Sequence, residues 1–137
     1  MELKLLAKDK YRVAAVTASG ECPAEDFLSD NALDKTYKAN RDGLYALLER
    51  VSQDSLDDIS SALCHEVDKN EKIFEFIKGK LRLFFFKGNG DLLVVCTTGL
   101  VKKTPKVDKK AVAKAITCKN QYLNAVKQNT LVMLEIE

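Results

Sequence analysis

The sequence predicts an α+β fold: N-terminal strands and helices packed on an antiparallel sheet, followed by a basic C-terminal helix and an edge strand. Three observations lead there. Apolar residues recur at helical spacing between residues 33 and 51 and again between 112 and 126, but at a period of two between residues 73 and 98. The turn signals Lys78-Gly79-Lys80 and Gly88-Asn89-Gly90-Asp91 cut that middle stretch into three strands joined as a meander. With 137 residues, 46% of them hydrophobic, the chain is long enough for one domain with its own core, spanning residues 1–137.

Each element has its own local reason. Residues 3–6 and 11–17 read as short strands around a Lys8-Asp9-Lys10 turn. Cys22 precedes a helix with Pro23 at its first position and Glu25 and Asp26 in its first turn, where the helix dipole favours acids. That helix presents Phe27 and Leu28 and stops near Asp30. A longer helix sets Leu33, Tyr37, Leu44, Leu48 and Val51 on one stripe, with Leu47 beside them and Gly43 in its interior. It ends at Asp54-Ser55. Ser55-Leu56-Asp57-Asp58 is capping-box-like, so a short helix is expected to run into Ala62. Residues 73–77, 81–87 and 92–98 are the meander strands, and Phe84, Phe85 and Phe86 in a row predict a central strand buried on both faces. Pro105 keeps residues 100–107 from being helical. Asp108 then caps a helix of about five turns. Its stripe is Val112, Ile116, Leu123 and Val126, and residues 131–136 close as an edge strand.

Composition narrows the function. Residues 1–68 hold eight Lys or Arg against fourteen Asp or Glu, a net of −6, whereas residues 69–127 hold fourteen against four, a net of +10. A strongly cationic segment in a chain of net +2 is relieved by an anionic partner, nucleic acid first, with a solvated lysine-rich face as the plain alternative. Cys22, Cys64, Cys96 and Cys118 form no C-x-x-C pair and there is a single histidine, so no metal site is expected and the thiols read as small core residues. No Gly-rich phosphate loop stands between a strand and a helix, which leaves nucleotide hydrolysis unsupported. Without a visible signal peptide or an apolar run of about 18 residues, a cytoplasmic protein that does not enter the membrane is expected.

The candidate site residues gather at one end of the predicted sheet. In a meander, the tip of the first hairpin lies beside the end of the third strand, which brings Lys78, Lys80 and Arg82 to Lys102, Lys103 and Lys106. Arg82 shares a strand face with Phe84 and Phe86. There it either pairs with Glu75 on the neighbouring strand or is held rigidly for bidentate contact with phosphate. His65, beside Cys64 and with no evident orienting acid, reads as structural, and Tyr122 as core packing.

Taken in order, Phe27-Leu28, then Phe74-Glu75-Phe76, then Leu81-Arg82-Leu83-Phe84-Phe85, and Gly99-Leu100-Val101-Lys102-Lys103-Thr104 ahead of a basic helix resemble the RelE/ParE toxin superfamily. Within it the chain is most similar to the HigB-like, phage Gp49-like branch of type II toxin–antitoxin systems. The resemblance covers roughly residues 11–127, and the K-K-T loop behind R-x-F-F-F is its most specific part. It implies a RelE/ParE-like fold and a toxin that cleaves messenger RNA, usually in the ribosomal A site. The reaction it implies uses no metal or other cofactor: the ribose 2′-OH attacks the adjacent phosphate and leaves a 2′,3′-cyclic phosphate or its hydrolysis product. The implied partners are mRNA, the ribosome and a cognate antitoxin, commonly a HigA-like helix-turn-helix protein.

Residue by residue, Arg82 matches the family's arginine on the central strand and is assigned to the transition-state phosphate. Lys102 and Lys103 match the basic loop. Lys80, Lys102 and Glu75 complete the catalytic set with Arg82. Glu75 is either the base or Arg82's partner, and a lysine whose charged form is disfavoured by crowding is the other proton acceptor to weigh. Lys78, Lys103, Lys106, Lys109 and Lys110 are assigned to RNA or ribosome binding. Ile77 and Thr98 stand where the family has an arginine and a frequent histidine. Two alternatives therefore stay open: a ParE-like poison of DNA gyrase, which needs no nuclease residues, and a toxin-fold protein that only binds antitoxin or RNA.

Overall fold

The computed structural model describes residues 1–29 and 35–136. Along them run β1 (Glu2–Lys8), β2 (Arg12–Val16), α1 (Pro23–Leu28), α2 (Lys38–Asp54), β3 (Cys64–Asp68), β4 (Ile73–Lys78), β5 (Leu81–Phe86), β6 (Leu92–Val101), α3 (Lys109–Gln128) and β7 (Val132–Leu134), with a short 3-10 turn over Lys35–Tyr37 leading into α2. The strands form one seven-stranded sheet in the order β3-β4-β5-β6-β2-β1-β7.

Strands β3 to β6 are an antiparallel meander, as the turn signals of the sequence require. The antiparallel β1–β2 hairpin docks on it through a parallel β2–β6 pairing, and β7 adds to the outer edge parallel to β1. The sheet is therefore mixed rather than purely antiparallel. Central β2 shows the signature of a strand covered on both faces: Val13, Ala14 and Ala15 are fully buried.

Helices cover both faces. On one, α1 and α2 bury Phe27, Leu44, Leu48 and Val51 against Phe76, Leu83 and Phe85. On the other, α3 buries Ala115, Cys118 and Tyr122 against Ile73, Phe86, Leu92 and Val95. Phe84, Phe85 and Phe86 are at most 2% exposed, each contributing about 1.5–3 kcal/mol by leaving water. Phe85 also stacks on Phe76 with ring centroids 4.3 Å apart.

Four expectations are corrected. Residues 55–62 form turns instead of a helix: the Ser55 hydroxyl accepts the Asp57 N–H two residues on, and the Leu63 and Cys64 N–H groups both donate to the Ser60 carbonyl. An Asp at the fourth position of S-L-D-D is one methylene short of the Glu that closes a capping box. The chain then enters β3, a strand the sequence reading leaves unassigned. β6 runs on to Val101 beyond the expected end at Thr98, because Leu100 and Val101 fill the edge beside Arg82 and Leu81.

Finally, α3 is turned relative to its expected stripe. Val112 is buried and Ile116 packs at the margin, but Leu123 is 47% and Val126 39% exposed. The small residues Ala115, Cys118 and Ala125 face the sheet, which lets the helix axis approach the Phe86 surface, and Tyr122 fills what remains. Asp108 caps α3 as expected, its carboxylate accepting the Ala111 N–H at 2.9 Å. Tyr122 is buried as expected. The stripe of α2 holds at Leu44, Leu47, Leu48 and Val51, while Asp30 and Leu33 lie outside the described residues.

Candidate active site

Strand alternation and register build the centre of the site. On β4, Phe74 and Phe76 point to the α1/α2 side, so Glu75 points to the α3 side with Ile73. Register places Glu75 directly opposite His65 on β3, and Ile77 opposite Arg82 on β5. The result is a row across three strands. One Glu75 oxygen, Oε1, lies 3.4 Å from His65 Nε2 and 3.6 Å from Arg82 Nε. These are ion-pair distances, longer than good hydrogen bonds.

The Glu75 side chain is only 6% exposed, whereas His65 reaches the surface at 46%. A carboxylate this buried is held there by the Arg82 guanidinium, since an unpaired one costs several kcal/mol. Arg82 is anchored from its other side: Nη1 donates to the Gly79 carbonyl at 2.7 Å and to the Leu81 carbonyl at 3.0 Å. Nε is buried without a hydrogen-bond partner, and Nη2 makes no hydrogen bond among the described residues. The guanidinium is thus fixed by the turn carbonyls on one side and faces Glu75 on another, which leaves Nη2 as the donor for an anion.

The basic loop closes the site from β6. The Lys102 N–H donates to the Lys80 carbonyl at 2.7 Å, so the hairpin tip and the end of the meander do lie together. The loop then passes over the sheet to the start of α3. Beneath it is a cleft of about 50 Å³, whose polar lining is His65, Glu75, Arg82, Lys102, Lys106 and Asp108. On the outer side of the same loop, Lys102, Lys103, Lys106, Lys109 and Lys110 line a second groove of about 400 Å³ that leads to the positive end of the α3 dipole.

Of the residues singled out by sequence, Glu75, Arg82, Lys102 and Lys106 thus meet in one cleft, and Lys103, Lys109 and Lys110 share the adjoining groove. Lys80 is exposed at the turn and contributes its carbonyl to the loop. Its side chain lines neither the cleft nor the groove, so it does not join the catalytic set expected for it. Lys78 is moved to the opposite face. Its side chain crosses α2 on the other face, with Cε 2.8 Å from where a Cβ on Gly43 would sit.

His65 is the residue that sequence reasoning missed as part of the site. Its orienting acid is ten residues away in the chain and directly across the sheet. The available signal was the alternation in Cys64-His65-Glu66-Val67, which points Cys64 to one core and Val67 to the other, with His65 on the Val67 side. Burial disfavours the thiolates: it pushes Cys22, Cys96 and Cys118 up from the ordinary range, and Cys64 up to about 11.

Among the described residues, no three His, Cys, Asp or Glu side chains cluster as around a metal ion, and no helix is long and apolar enough to cross a membrane. No protein-family model matches the chain, and no curated protein matches it.

Proposed function

We propose that this protein is a toxin of the RelE/ParE type, an endoribonuclease that cuts translated messenger RNA in the ribosomal A site. In this reading it works in the cytoplasm and is silenced by a cognate antitoxin, a HigA-like helix-turn-helix protein. The observation that carries the proposal is the meeting of the Arg82 guanidinium with Lys102 and Lys106 around one cleft, beside the buried Glu75 carboxylate.

The chemistry follows from charge. When a 2′-OH attacks the neighbouring phosphate, negative charge builds on the equatorial oxygens, and preorganised cations stabilise it more than they stabilise the ground state. Arg82 supplies a fixed guanidinium with Nη2 still to donate, and Lys102 and Lys106 supply mobile point charges beside it. The outer groove with Lys103, Lys109 and Lys110 suits successive backbone phosphates, which is a sequence-independent contact. Glu75 holds Arg82 and His65 in one row.

Tightly induced expression of the wild type beside Arg82→Ala, scoring growth and mapping RNA 5′ ends, tests the proposal. Growth arrest with new cleavages inside translated messages, absent in the variant, is the expected result. Arrest with intact transcripts redirects the search to gyrase, read directly as altered DNA supercoiling. No arrest from a folded protein means that the basic face binds without cutting.

A further inference from the structure

We infer that His65 is the proton acceptor of this cleft, oriented by Glu75. The inference rests on the ribonuclease reading above and supplies the group that reading lacks. A 2′-OH is a poor nucleophile until its proton is taken, so a positioned base is required.

The polar lining leaves few choices. Asp108 is committed to the cap of α3 through Ala111. Glu75 is buried, with one oxygen facing both the Arg82 guanidinium and the His65 ring. The Arg82 guanidinium carries donors and no acceptor, and Lys102 and Lys106 present donors to an anion. His65 alone combines three properties: it lines the cleft, it is half-exposed so that a substrate can reach it, and its ring can offer a nitrogen lone pair to a proton.

Orientation follows from the pairing with Glu75. With Nε2–H turned toward Oε1, the Nδ1 lone pair faces away from the carboxylate. In the step, Nδ1 takes the 2′-OH proton as the O2′–P bond forms. The P–O5′ bond breaks, and its electron pair stays on O5′, which takes a proton from water at the open mouth of the cleft. The imidazolium then returns its proton to the hydroxide so formed. The products are a 2′,3′-cyclic phosphate and a 5′-hydroxyl, with no oxidant, metal or net water consumed. Glu75 acts here as a positioning residue.

The test uses the purified full chain, ribosomes programmed with a defined message, and single-turnover cleavage by the wild type, His65→Ala, His65→Gln and Arg82→Ala. Loss of about 10²–10⁴-fold in rate for both His65 variants, with unchanged melting and KM, is expected. Added imidazole should restore part of the rate to His65→Ala and none to Arg82→Ala. Cleavage by the His65 variants at the wild-type rate overturns the assignment and leaves the ribonuclease reading standing. A loss that imidazole does not restore makes His65 structural and also overturns it. Should His65→Ala fail to fold, His65→Gln decides on rate alone. RNA left intact by the wild type overturns both proposals together.

Discussion

Phe27 of α1 occupies the space above Gly99 of β6: a Cβ on residue 99 would stand 2.1 Å from the Phe27 ring carbon Cδ2. The glycine that opens G-L-V-K-K-T, near the end of β6, is therefore a packing requirement that seats α1 on the sheet. Gly99→Ala should destabilise the fold by about 1–3 kcal/mol, a drop of several degrees in Tm. Combining it with Phe27→Ala should cost less than the two single losses added, because both disturb one contact. Thermal melts of the four proteins measure this.

Tyr122 tests whether the α3 face is as polar-satisfied as it is apolar. Its hydroxyl donates to the Asn89 side-chain oxygen at 2.9 Å and accepts the Asn89 N–H at 3.0 Å, tying α3 to the β5–β6 turn. Tyr122→Phe should cost about 1–2 kcal/mol in urea unfolding and leave any RNA cleavage unchanged. An effect on cleavage at equal stability would place this residue in the chemistry and refute its purely packing role.

Asp108 links the basic loop to the helix behind it. Asp108→Ala removes the cap from α3 and should destabilise the protein by about 1 kcal/mol, while Asp108→Asn should retain most of the stability. Chemical denaturation of the two variants distinguishes them.

The cysteines predict an alkaline limit to stability. Because burial raises the Cys64 thiol in the folded state to about 11 from an ordinary 9.0, the unfolded chain loses that proton first as pH rises. Its contribution is complete below about pH 9 and is lost as pH climbs through about 11. Cys22, Cys96 and Cys118 shift in the same direction. Melting temperature should fall over that window, and Cys64→Ala should flatten the fall. Thiol labelling at pH 8 should be slow in the native protein and fast in denaturant. Rapid native labelling of Cys96 would contradict its burial.

The outer groove predicts salt dependence. Replacing Lys103, Lys109 and Lys110 by Gln should weaken RNA binding similarly for all sequences, and reduce the slope of log affinity against log salt by about 0.7 for each lysine that contacts a phosphate. Replacing Lys78, which lies across α2 on the other face, should leave that slope unchanged. Filter-binding titrations at several ionic strengths read both.

Much of this was legible in the chain because it depends on short-range rules. The meander follows from alternation and from two tight turns, α1 from Pro23, and α3 from the Asp108 cap. The basic end of the sheet follows in turn, since consecutive antiparallel strands leave little freedom in where a hairpin tip meets a strand end. The failures have equally local causes. S-L-D-D carries a weak cap signal that turn hydrogen bonds override, and Cys64–Asp68 is too polar to stand out as a strand. Helical spacing picks out the large apolar residues of α3, whereas a helix lying close to an aromatic sheet presents its small ones.

By itself, then, the sequence determined an α+β chain with a three-strand meander, a buried phenylalanine strand and cations concentrated after residue 68. Tertiary structure decided which of those cations share a space. It turned Lys78 onto α2, brought Lys102 and Lys106 over Arg82, and set His65 against Glu75. The physical reason is register. Local periodicity assigns a side chain to a face, but only the pairing of β3 with β4, fixed by two hydrophobic cores on opposite sides of the sheet, selects which residue it meets across the strand.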